Sequence, residues 1–91
     1  MTAESTAVEI RRGLAENDED LVKVLARRER LLRAAAAAGL TEGPAEDAEE
    51  HIAEARNLAL VHGLDPRVAE QVWHSMFAGF AGIYRGEFAG S

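Results

Sequence analysis

Two arginines, Arg11 and Arg28, fall on a helix face that is otherwise apolar, and they are the side chains best suited to chemistry. A guanidinium is a planar fork of donors that fits a carboxylate two hydrogen bonds at a time. A charge taken from water without a partner is costly, so an arginine on such a face is paired or meets an anion. Two readings stay open. In one, Arg11 and Asp18 pair at i,i+7 distance or across a dimer seam, and Arg28 extends its stem to solvent. In the other, the arginines project into an enclosed cavity and bind an anion. Tyr84 carries a hydroxyl that either reaches such a cavity or sits half exposed at a helix end.

Other chemistry finds little support. The 91 residues include no cysteine, which removes disulfides and thiolate catalysis. None of His51, His62 and His74 forms an HExxH or Glu-x-x-His pair, and Asp47 with His51 is a single pair one turn apart. No metal or other cofactor is expected. Ser75 lies beside His74, but adjacent residues on a helix point apart, so no nucleophile–base pair follows. With no strands expected, there is no strand-borne phosphate loop.

These side chains must be held by helices. Ala, Leu, Glu and Arg dominate, and Pro44 and Pro66 are the only prolines. One domain covering residues 1–91 is expected, all-α, with three helices at about 6–38, 44–62 and 66–86. The first has no proline, has Gly13 as the one weak helix former in its middle, and stops at Gly39. At ~1.5 Å per residue it is about 50 Å long, more than a compact domain of this size spans. One end must then pack outside its own protomer, and a homodimer solves this. A monomeric bundle of three badly mismatched helices is the alternative. Pro44 opens helix 2, with Glu46, Asp47, Glu49 and Glu50 at its positive end. Gly63 stops helix 2, and Asp65-Pro66 caps and starts helix 3.

The net charge is −6, which argues against nucleic acid or an anionic membrane as partner. No apolar run reaches the ~18 residues of a membrane span, and MTAESTAVEI does not read as a signal peptide. A soluble, cytoplasmic protein is expected.

On helix 1 the apolar stripe comprises Ile10, Leu14, Leu21, Val24, Leu25, Leu31, Leu32, Ala35 and Ala38. The same face carries Arg11, Asn17, Asp18 and Arg28. Arg28 lies between Leu21 and Ala35 in one row, and Arg11 and Asp18 share the row of Leu25 and Leu32. Arg27, Arg30 and Arg33 read as solvated. Helix 2 offers Ile52, Ala55 and Leu58 as its apolar register. Helix 3 offers Val68, Val72, Trp73, Met76, Phe77, Phe80, Ile83 and Tyr84, read as core. Gly79, Ala81 and Gly82 suggest close backbone approach or room for a ligand.

This pattern resembles the all-helical class of chorismate mutases. The resemblance lies in Ile-Arg-Arg-Gly-Leu from Ile10, then Asn-Asp-Glu-Asp-Leu-Val-Lys-Val-Leu-Ala-Arg-Arg from Asn17. It continues in Gly-Leu-Asp-Pro at 63–66 and Ile-Tyr-Arg at 83–85, and covers roughly residues 8–86. It implies an intertwined homodimer with two sites, each built from one protomer's helices plus Arg11 of the partner. Arg28 would grip a substrate carboxylate within the protomer. The implied reaction is the pericyclic rearrangement of chorismate to prephenate, an isomerase step of the shikimate pathway that needs neither metal nor covalent intermediate.

The chain departs from the family pattern. Gly39 stands where a lysine donating to the ether oxygen is expected. Pro44, Asp47 and Ala48 stand where the family has an acid and an Arg-Glu pair, and Glu49 takes the glutamate role only if helix 2 slips by one residue. Phe80 and Tyr84 replace polar groups near the end of helix 3, with Tyr84 a candidate substitute. The expected function is therefore a chorismate mutase-type isomerase of reduced or altered activity. Its substrate would be chorismate or an amino-chorismate or isochorismate-type dicarboxylate, in a specialised (secondary) route of aromatic biosynthesis. Arg11, Arg28, Glu49 and Tyr84 would form the binding site. The alternatives are a non-catalytic dimer of this fold that partners or regulates another enzyme, and a plain dimerisation module with Arg11, Asp18 and Arg28 as salt bridges.

Overall fold

A computed structural model describes residues 3–40 and 48–84. Every regular element among them is helical: α1 (Ala3–Ala37), α2 (Ala48–Val61), α3 (Pro66–Gly79) and the single turn α4 (Ala81–Tyr84). The expected order of three main helices, the first much the longest, is present. By contact clustering the chain forms two compact units, Met1–Leu31 and Leu32–Ser91.

The first unit is helix alone. α1 begins at Ala3 rather than Thr6, with Glu4 placing negative charge in its first turn. Its exposed polar side carries a Glu19–Lys23 ion pair at 3.4 Å, with the acid N-terminal to the base, the favourable order. None of its 35 residues is buried. The helix holds because its backbone hydrogen bonds are internal and its residues are strong helix formers.

α1 ends one residue short of the expected Ala38, in a left-handed glycine cap. Gly39 has φ 76°. The Leu40 N–H donates to the Ala35 carbonyl at 2.9 Å and the Gly39 N–H to that of Ala36 at 3.1 Å. These two bonds satisfy carbonyls that a helix end otherwise strands.

In the second unit α2 packs on α3. The expected start of helix 2 at Pro44, with Glu46 and Asp47, lies outside the described residues. The core consists of Ile52, Ala55 and Ala59 from α2, Ala69 from α3 and Ile83 from α4. Three of these are alanines, so the helices meet on small side chains, and the larger Trp73, Met76, Phe77 and Phe80 are half-buried around them. His51 meets Phe77 edge to face, with ring centroids 6.3 Å apart.

Two sequence readings of this core are corrected. Leu58 is 56% exposed, and Ala59 is buried in its place. The buried row steps by three and then four residues from Ile52, and Leu58 is rotated out of it by about 100°. Val68 and Val72 are likewise exposed, because α2 covers the neighbouring row that contains Ala69.

The α2–α3 turn repeats the glycine device. Gly63 has φ 75°, and the Leu64 N–H reaches the Ala59 carbonyl at 2.8 Å. Asp65 then caps α3, its Oδ1 accepting the Arg67 backbone N–H at 2.9 Å, with Pro66 in the first turn. The Arg67 guanidinium returns to the same carboxylate at 3.0 Å. α3 stops at Gly79 rather than running on to residue 86. Phe80 adopts φ −99° and ψ 11°, a turn geometry favoured by the weak helix formers Gly79 and Gly82 on either side. The remainder of the expected helix, from Arg85, lies outside the described residues.

Two outcomes follow. Ala69 is 1% exposed, so Ala69→Leu should overpack the α2–α3 contact and destabilise the chain by about 1–3 kcal/mol in urea unfolding. The Arg67 side chain, and then its backbone N–H, hold the Asp65 carboxyl below its ordinary value of 3.8. A lowered folded-state value means that the stabilisation is complete above that pH and is lost as the pH falls through the lowered value. The melting-temperature gap between the natural chain and Asp65→Asn should therefore be constant near neutrality and close in strong acid.

Candidate functional site

The candidate arginines both project from the first unit. Arg11 is exposed, as are Asn17 and Asp18, whereas Arg28 is half-buried. Leu25 is half-buried too, and apart from Ala7 the half-buried positions of this helix lie in its C-terminal half. Arg27 and Arg30 are solvated, as their wheel positions imply. Arg33 is not: it is half-buried, as is Glu29. Arg28, Glu29 and Arg33 are each engaged in an interaction. The sequence pattern passes over Glu29, because it falls off the heptad rows that carry the leucines. Its one legible signal is that it is the sole acid between Lys23 and Arg33.

Arg11 and Arg28 are 17 positions apart on one straight element. At ~1.5 Å per residue they are separated by about 25 Å along the axis. A single α1 thus presents two separate cationic points and cannot close both on one small anion.

The remaining candidates belong to the second unit. Glu49 is exposed in the first turn of α2, where its charge favours the positive helix end. Tyr84 is the last residue of α4. Pro44 and Asp47 are outside the described residues. His51 is occupied in ring packing with Phe77, in keeping with a histidine that belongs to the core edge.

Gly39 is explained by its backbone. Its φ of 76° lies in the left-handed region, where a side chain is strained, although nothing crowds the space a Cβ would take. The residue is a helix terminator. Comparison with protein-family models, curated proteins and solved structures gives no match to this chain.

Gly39→Lys should accordingly cost about 1 kcal/mol of stability. Gly39→Asn, which tolerates this conformation better, should cost less. Urea melts of the two variants compare them directly, and equal losses would contradict a backbone origin.

Proposed function

We propose that the chain is a chorismate mutase-like protein that works as a homodimer and binds a cyclic dicarboxylate through Arg28 and the second copy's Arg11. The observation that carries this reading is the placement of both arginines on the leucine face of α1, with Arg28 already half-buried. Such an arginine is costly to keep dry and is well suited to a carboxylate. The order of elements supports it too: one long helix, then a helical hairpin turned by Gly63-Leu64-Asp65-Pro66.

The chemistry asked of such a site is modest. A pericyclic rearrangement of chorismate to prephenate breaks a carbon–oxygen bond as a carbon–carbon bond forms, within one molecule. The protein's part is to hold the compact conformer and to stabilise negative charge developing on the ether oxygen. Arg28 and the second copy's Arg11 fix the two carboxylates. The usual donor to the ether oxygen is absent, because Gly39 terminates the helix where a lysine would stand. Loss of a donor of this kind lowers rate by ~10²–10³. Turnover of chorismate itself is therefore slow, and an amino-chorismate or isochorismate-type dicarboxylate is the fitting class of substrate.

The same glycine favours one second reading: a dimer of this fold that has given up catalysis and partners or regulates another enzyme. The two part on ligand binding.

The test is chorismate consumption with products resolved by chromatography, alongside thermal shifts with chorismate, isochorismate and amino-chorismate. At least one ligand should raise the melting temperature, and Arg28→Ala and Arg11→Ala should each weaken its binding by roughly tenfold or more. If none of the three binds or reacts, the dicarboxylate site is refuted and the partner reading stands.

A further inference from the structure

We draw no further inference here: the strongest candidate, the exposed apolar patch of the helical hairpin that includes Leu58 and Val61 of α2 and Val68 and Val72 of α3, carries none, because nothing in the structure shows what covers it.

Discussion

An amphipathic helix has no means of covering its own apolar face, and everything unusual about this chain follows from how long that face is. α1 spans 35 residues and buries none of them. Leucines and valines line one side, which also carries Arg11, Asp18 and Arg28, and most other charges lie opposite, so the helix holds through its backbone. Desolvating that face is the largest reserve of favourable energy left in the molecule, at ~25 cal/mol for each Å² of apolar surface covered.

The helical hairpin solves the same problem at smaller scale. α2 and α3 turn their faces together on Ala55, Ala59 and Ala69, with Ile52 and Ile83 at the edges. Alanine contacts bring helix axes close and leave little volume for misfit. The turn is held by Gly63 in the left-handed region and by Asp65, which binds both the backbone and the side chain of Arg67. The hairpin is therefore the part with its own core, whereas α1 over its first 31 residues has length and pattern with no fully buried residue. Arg11 and Arg28 both stand on α1, outside this core.

Gly39 answers a structural demand at the end of α1. The end of α1 takes a left-handed residue so that the carbonyls of Ala35 and Ala36 find donors. A side chain there would strain the left-handed backbone that makes this cap. The cap ends the long helix cleanly.

Much of this was legible in the residues alone. Helix formers without proline gave α1 its length, Gly39 and Gly63 marked both helix ends, and Asp65-Pro66 marked the start of α3, because capping is local chemistry read over four or five residues. The charges on the leucine face were legible for the same reason, since a helical period follows from spacing. What spacing could not reveal was which side of each later helix would be covered. Leu58 looked as buried as Ala59, and Val68 and Val72 as buried as Ala69, until the hairpin closed on the alanines. Nor did it place the break at Phe80 within α3, or the half-burial of Glu29 and Arg33. Those outcomes depend on which rows of two helices come into contact, and contact between distant segments is settled by tertiary packing, where fit between neighbours outweighs the hydropathy of any single residue.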